Sequence, residues 1–382
     1  METKGKLNLI TRNCEEVLTG EDLEKLIESG TELRHYIGFE ISGLVHLGTG
    51  LMSMGKIADF LKAGVKCQIL LADFHSYLNN KLGGDWDNIR TATEGYFKSG
   101  LIASLACFGV EGKEIEFITG KDLYRDNLTH WETFMEVGKH VTLSRNLRSI
   151  SIMGKSQGKD VDMATLFYPP LQVADIFSLK ANIIHAGMDQ RKAHVIAKDV
   201  AKKLKINPLK NNQGEVISPV AVHHKLIAGL TGPEPASRQG SDLSQNNSNE
   251  SLKMSKSKPN SAIFIHDTPD EIRNKIKKAY GPPKEIEFNP LINWVETLVF
   301  WGEKKGNFKI SRPERYGGNV VYTEIDKLIS DYKSEKLYPA DLKNGLAEWL
   351  IEKLEPARKY FERPEAKEGW IKMKEFLDIK SP

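Results

Sequence analysis

The 382-residue sequence predicts an α/β protein, with a doubly wound parallel sheet first and a mainly α-helical part after it. Three observations carry this expectation. Short apolar runs alternate with helical periodicities through the first half of the chain, which is the pattern of successive βα units. The segment Tyr36-Ile37-Gly38-Phe39-Glu40-Ile41-Ser42-Gly43-Leu44-Val45-His46-Leu47-Gly48-Thr49 places glycines and a histidine where a strand runs into a helix. Beyond Asp267 the strand-like runs give way to basic and leucine-rich helical spacing.

The elements follow in order. Thr19 to Ser29 reads as a short helix, with Leu23, Leu26 and Ile27 on one face and Gly30 ending it. Arg34 to Phe39 reads as a strand entering the glycine-bearing turn. His46 to Ala63 has helical spacing through Leu51, Met54, Ile57, Phe60 and Leu61, and Gly64 supplies a C-terminal cap. Cys67 to Ala72 is nearly all apolar, as in a strand buried on both faces. A long helical stretch runs from about Asp87 to Phe108. Ile115 to Ile118 and Asn182 to Ala186 read as further strands. Ligands of such sheets bind beyond the carboxyl ends of the strands, so Gly38, Asp73, Gly187 and Gln190 are expected to line one site. From Gly232 to Ser251 the chain is polar with little to bury, which predicts a mobile loop or plain surface insertion. Pro269 to Ala279 reads as a basic helix. Leu342, Leu346, Trp349, Leu350 and Leu354 mark another, and Trp370, Met373 and Leu377 one more in the charged tail.

The bulk properties bound the function. A chain of this length suggests two or three domains. The net charge of +3 does not by itself point to nucleic acid, although local basic clusters would serve a phosphate backbone. Cys14, Cys67 and Cys107 are far apart, so they build neither a zinc spacing nor a disulfide framework and read as reduced cytosolic thiols. No apolar run spans a bilayer, and the first residues lack the apolar core of a signal peptide.

The chemistry concentrates in two distant segments. The pentad Lys253-Met254-Ser255-Lys256-Ser257 puts two lysines and two hydroxyls on a polar loop, and the turn at Gly38 to Thr49 adds a histidine and close-approach glycines. Together they suit a triphosphate. With Leu71-Ala72-Asp73-Phe74-His75-Ser76-Tyr77-Leu78-Asn79, Tyr168-Pro169-Pro170-Leu171-Gln172-Val173-Ala174-Asp175, Gly187-Met188-Asp189-Gln190-Arg191-Lys192, Arg312 to Gly318 and Tyr338 to Asn344, the chain closely resembles the tyrosyl-tRNA synthetases of the archaeal and eukaryotic type, which are class I aminoacyl-tRNA synthetases. The resemblance runs from about residue 8 to about residue 360.

The resemblance implies a Rossmann-like catalytic domain over 1–230, with an inserted acceptor-stem and dimer segment at about 120–165. A polar loop and pentad linker would fill 231–266, and a helical anticodon-binding domain 267–382. It implies ATP with Mg²⁺, L-tyrosine and tRNA(Tyr) as substrates, no prosthetic group, a cytoplasmic homodimer and no membrane. Tyrosine carboxylate attacks the α-phosphate, and a ribose hydroxyl at the tRNA 3′ end then attacks the adenylate. The first nucleophile is already an anion, so the site must align reactants and neutralise charge rather than supply a base.

In this reading His46 is the first histidine of the His-x-Gly-His signature, and Thr49 replaces the second. Gly38 and Gly48 admit the nucleotide. Lys253, Ser255 and Lys256 meet the phosphates, and Lys256 acts at the transition state. Tyr36 and Asp175 grip the phenol hydroxyl, while Tyr168, Gln172 and Gln190 hold the amino and carboxylate groups. Arg145 and Arg148 stand at the acceptor stem, and Tyr316 and Asp341 at the first anticodon base. Ile41 replaces a proline common in the family. For the basic run from Arg273 to Lys278 a solvated helix face and a phosphate-backbone contact remain open. Two alternatives are carried: tryptophanyl-tRNA synthetase, which shares both signatures, and a non-catalytic RNA-binding paralogue, favoured only by Thr49.

Overall fold

The computed structural model describes residues 2–155, 161–232 and 261–378. A six-stranded sheet forms the centre of the first half. Its strands are β1 (Cys14–Leu18), β2 (Arg34–Phe39), β3 (Lys66–Leu71), β4 (Glu116–Thr119), β5 (Ile183–Gly187) and β6 (Val220–His224), in the spatial order β1-β6-β5-β2-β3-β4. All neighbours are parallel except the edge pair β1–β6. The doubly wound parallel sheet therefore holds, with an antiparallel edge strand that the sequence reading did not contain. Cys14 to Leu18 carries two glutamates in five residues, and as an edge strand it has a solvent side on which to put charge.

β2 to β4 fill the sheet in one direction and β5 to β6 in the other. The chain reverses between β2 and β5, which opens a crevice at their carboxyl ends. The buried strands read as apolar runs because both faces are covered; β5 and β6 are buried at every position. Their three histidine side chains, His185, His223 and His224, thus lie inside the protein, which is uncommon for a polar ring and requires internal partners.

The predicted helices appear with local adjustments. Gly20–Glu28 ends at Gly30 and Met54–Lys62 at Gly64, and both glycines adopt the left-handed conformation of a C-terminal cap. The stretch from Trp86 to Ala106 is helical throughout, with a π turn at Thr93–Phe97, and a second π turn, Gly48–Ser53, opens the helix after the glycine-bearing segment.

Past the polar segment, residues 261–267 run through the core. Leu47 N–H donates to Ile263 O at 3.1 Å and Ile265 N–H to Val45 O at 3.1 Å, so this piece lies against the turn that carries His46. The C-terminal part is mainly helical and adds an antiparallel pair, β7 (Lys305–Ile310) and β8 (Val320–Glu324). The helix Pro339–Lys353 crosses that pair at Gly345, where a Cβ would meet Ile310 at 2.7 Å. The tail helix Pro364–Asp378 returns to the first half: Gly369 lies against the backbone of Gly95, and Trp370 packs 4.5 Å from the His266 ring. A short N-terminal helix, Thr3–Thr11, is held at its carboxyl end by Lys56, whose Nζ donates to the carbonyls of Leu9, Ile10 and Arg12 at 3.2, 3.1 and 2.7 Å. No helix among the described residues is long and apolar enough to cross a membrane.

Candidate active site

A cavity of about 570 Å³ occupies the crevice beyond β2 and β5. Of the four residues expected to line it, Gly38, Gly187 and Gln190 do. Asp73 does not. It is buried, and it accepts from the amides of Phe74 and Lys121 at 2.9 and 3.3 Å, so it ties two loops together behind the site.

One end of the cavity is formed by Tyr36 and His75. Gly38 is required there because a Cβ would come within 2.8 Å of the Tyr36 hydroxyl. Asp175 is fully buried behind this lining rather than part of it. Its Oδ1 accepts from the Tyr124 hydroxyl at 2.9 Å, while its Oδ2 has no hydrogen-bond partner and lies 3.6 Å from His75 Nε2. That approach is not an ion pair. Burial drives the His75 imidazole down to about 3 and holds it neutral. Burial also pushes the Asp175 carboxyl well above its usual range, opposed by the Tyr124 hydrogen bond and aided by Asp73. An acidic oxygen without a partner in a sealed place is a costly feature, and a ligand hydroxyl removes the cost.

Next along the wall stand Tyr168, Gln172 and Gln190. The Tyr168 hydroxyl donates to Glu40 Oε1 at 2.8 Å, and Asn79 Nδ2 donates to the same oxygen at 2.7 Å. Gln190 Nε2 donates to Ile152 O at 2.9 Å, and its Oε1 accepts from Gln172 Nε2 at 3.3 Å. Each amide is thereby oriented, and Gln172 Oε1 is left buried with no partner. A carboxylate, a phenol and an unpaired amide oxygen together suit an ammonium group.

His46, Gly48 and Thr49 also line the cavity. His46 Nδ1 accepts from the Gly48 and Thr49 amides at 3.0 and 3.4 Å. The proton of the neutral ring therefore sits on Nε2. A Cβ on Gly48 would be 2.9 Å from His46 Cε1, so this glycine makes room for the imidazole itself, where the sequence reading reserved the space for a nucleotide. Lys253, Ser255 and Lys256 lie outside the described residues. The chain after them pairs with His46 at Phe264.

The model for tRNA synthetases class I (W and Y) matches residues 28–355. The tyrosine–tRNA ligase of Pyrococcus furiosus is 50% identical over 364 residues, 95% of this chain and 96% of the relative. That of Thermococcus sibiricus is 48% identical over the same shares. The chain belongs to the class I tRNA synthetases for tryptophan and tyrosine. The crystal structure of tyrosyl-tRNA synthetase complexed with L-tyrosine from Pyrococcus horikoshii superposes with a TM-score of 0.93 at 47% identity, covering 98% of this chain and 100% of that one.

The synthetase residues expected to meet RNA lie away from the cavity. Arg145 is engaged by Asp199, whereas Arg148 is exposed. Tyr316 is 59% exposed on a short turn with the Arg315 guanidinium 4.9 Å from its ring centroid. Arg312 links this turn to Asp341, donating to Gly318 O at 3.0 Å and standing 3.8 Å from the Asp341 carboxylate. In the basic run, Arg273 is paired with Glu348 and Asp270, and Lys275 with Asp267, so these two charges serve helix packing. Ile41, in place of the family's proline, donates its N–H to Ser76 Oγ at 2.7 Å, a bond that proline lacks.

Sequence reading missed Glu40, His75, Tyr124 and His224 as site residues. Glu40 and His75 sat inside quoted motifs, and the signal available for Glu40 was a charge directly after a buried parallel strand. Tyr124 carried none, because its role depends on the helix Gly120–Tyr124 folding back over Asp175.

Proposed function

We infer that the chain is a tyrosine–tRNA ligase, which activates L-tyrosine with ATP and transfers it to tRNA(Tyr). The observation that supports the reading is a pair of unpaired buried acceptors, Gln172 Oε1 in the lining of a cavity that also reaches His46, and Asp175 Oδ2 buried behind that lining. Tyrosine has an ammonium for the first and a hydroxyl for the second. Tyr36 with Asp175 would hold the phenol, and Tyr168, Gln172, Gln190 and Glu40 the amino and carboxylate groups. His46 would donate from Nε2 to a phosphate oxygen as charge develops, with Thr49 beside it and Gly38 and Gly48 flanking the nucleotide. Lys253, Ser255 and Lys256 would complete the phosphate site, Lys256 at the transition state.

Among the described residues no cluster of three or more His, Cys, Asp or Glu is arranged to hold a metal. Mg²⁺ would therefore arrive as the counter-ion of ATP. For RNA we propose Arg148, with Arg145 beside it, at the acceptor stem and Tyr316 with Asp341 at the anticodon. The catalytic part would span 1–230, the linker 231–266 and the anticodon-binding part 267–382. Homodimerisation through the 120–165 segment is supported by a row of exposed apolar side chains there, Leu128, Met135 and Leu143, continued by Met163 and Phe167. The cytoplasm is the compartment we propose.

ATP–pyrophosphate exchange with tyrosine, tryptophan and phenylalanine in parallel tests the reading. Exchange with tyrosine alone is expected. Exchange with tryptophan would move the chain to the sister enzyme, and no exchange at all would favour the non-catalytic paralogue.

A further inference from the structure

Residues 261–267 are zipped onto the turn that carries His46. Leu47 N–H donates to Ile263 O and Ile265 N–H to Val45 O, both at 3.1 Å, and Phe264 bridges to His46 itself. One further hydrogen bond to this turn comes from outside both pieces. Val45 N–H donates to the Tyr96 hydroxyl at 2.8 Å, and that hydroxyl lies 3.1 Å from His266 Nε2. Tyr96 and Val45 are fully buried, so neither group has water as a substitute partner.

The direction of these bonds follows from counting protons. The Tyr96 oxygen accepts from Val45, and its own buried proton needs an acceptor. His266 Nε2 is the acceptor in reach, which places the His266 proton on Nδ1. Burial keeps that ring neutral, pushed down to about 3, and Lys275 and Lys374 act in the same direction. The pair thus ties the amide directly before His46 to the end of the 261–267 piece. Without the hydroxyl, Val45 N–H would be buried with no acceptor, and the turn would have to shift to find one.

The tail helix Pro364–Asp378 roofs this pair. A Cβ on Gly369 would fall 2.7 Å from the Gly95 carbonyl carbon and 2.9 Å from Tyr96 N, so the helix sits directly on the backbone that carries Tyr96. The Trp370 ring centroid is 4.5 Å from that of His266. Phe361 fills the space between, 5.5 Å from the His266 ring and 5.8 Å from the Tyr96 ring. The tail helix contributes no side chain to the cavity lining, yet it contacts both members of the pair.

We propose that Tyr96 and His266 are positioning residues for adenylation, and that their hydrogen-bonded pair, roofed by Trp370 of the tail helix, fixes the turn that presents His46 to the nucleotide. The proposal rests on the ligase reading and adds to it a function for the tail helix.

The test is ATP–pyrophosphate exchange by the full-length protein and its variants. Tyr96→Phe keeps the ring and removes the hydroxyl. Losing one hydrogen bond between neutral groups should lower kcat up to about tenfold, with KM for tyrosine unchanged. His266→Leu should act in the same direction. His266→Gln, whose side-chain oxygen reaches the position of Nε2, should recover most of the rate. The deciding comparison is made in the His46→Ala background, where the Tyr96→Phe penalty should vanish because it acts through that imidazole. A hydroxyl with only a structural role would cost the same in both backgrounds, and that result overturns the proposal. Trp370→Ala should lower kcat less than Tyr96→Phe, and an unchanged kcat there would refute the role of the tail helix. Ring ¹⁵N shifts of the unsubstituted protein should report Nδ1–H on His266; Nε2–H would overturn the bonding scheme. Absence of tyrosine-dependent exchange in the unsubstituted protein would overturn the ligase reading and, with it, the role of the pair. Exchange that Tyr96→Phe leaves unchanged would overturn the positioning role alone.

Discussion

Replacing Asp175 with Asn should damage selectivity and improve stability at once. The side chains are nearly isosteric, so Tyr124 still donates to Oδ1 across the 2.9 Å bond seen here. What changes is Oδ2, which has no partner and is replaced by an amide nitrogen that only donates. The phenol hydroxyl of the substrate loses a bond to an acidic oxygen, which costs about 1.5–3 kcal/mol, or roughly ten- to a hundredfold in kcat/KM for tyrosine. Phenylalanine has no hydroxyl to lose, so the tyrosine-to-phenylalanine ratio should fall by the same factor.

Stability moves the other way. The Asp175 carboxyl is held above its unfolded value of 3.8, first by burial, so the native state binds its proton more tightly than the unfolded state. Native stability therefore falls as pH rises from about 3.8 through the raised value. Asn does not titrate, so its Tm advantage should be small near pH 4 and grow as pH rises through the raised value. Pyrophosphate exchange with both amino acids, and calorimetric melting at several pH values without ligand, read the two effects. An unchanged selectivity ratio would remove Asp175 from the phenol site, and a pH-independent Tm difference would refute its raised proton affinity.

Three further outcomes are expected. Lys56→Met should lower Tm by an amount corresponding to about 2–4 kcal/mol, since it leaves the carbonyls of Leu9, Ile10 and Arg12 without their donor in a fully buried site; a melt within a degree of the unsubstituted protein would contradict this. Gly369→Val should detach the tail helix, because its Cβ would fall 2.7 Å from the Gly95 backbone, and faster proteolysis or amide exchange of residues 364–378 is the readout; unchanged protection would show that the helices can separate without loss. Tyr316→Ala should reduce aminoacylation of tRNA several-fold through lost base stacking while leaving pyrophosphate exchange intact, and a parallel loss of both would point to misfolding instead.

The legible parts of this protein are those governed by local pattern. β3 and β5 were readable because buried strands are mostly apolar, β2 because it enters the glycine-bearing turn, and the Gly20–Glu28 and Met54–Lys62 helices because their buried faces repeat at helical spacing. Strand β6 was not, since Val220 to His224 ends in two histidines and looks half-polar until their ring partners are known. Strand β1 is an edge with two glutamates, which reads as loop. The pair β7–β8 is short and mostly exposed on one face, so neither run stands out.

The same division separates the site residues. From the sequence alone, through the family its motifs resemble, comes the expectation that a strand-to-helix turn with His46, a pocket set of Tyr36, Tyr168, Gln172, Asp175 and Gln190, and a distant lysine pentad serve one chemistry. The sequence could not decide which atoms of those residues remain available. Asp73 carries the same carboxylate as Asp175, but backbone amides occupy it, while Asp175 keeps one oxygen unpaired. His46 spends Nδ1 on the turn behind it, which leaves Nε2 to carry the proton. His35, His185 and His224 are separated by 150 and 39 residues along the chain and become one row only when β2, β5 and β6 lie side by side. Hydrogen-bond satisfaction is a property of neighbours in space, and that is why tertiary structure alone settled it.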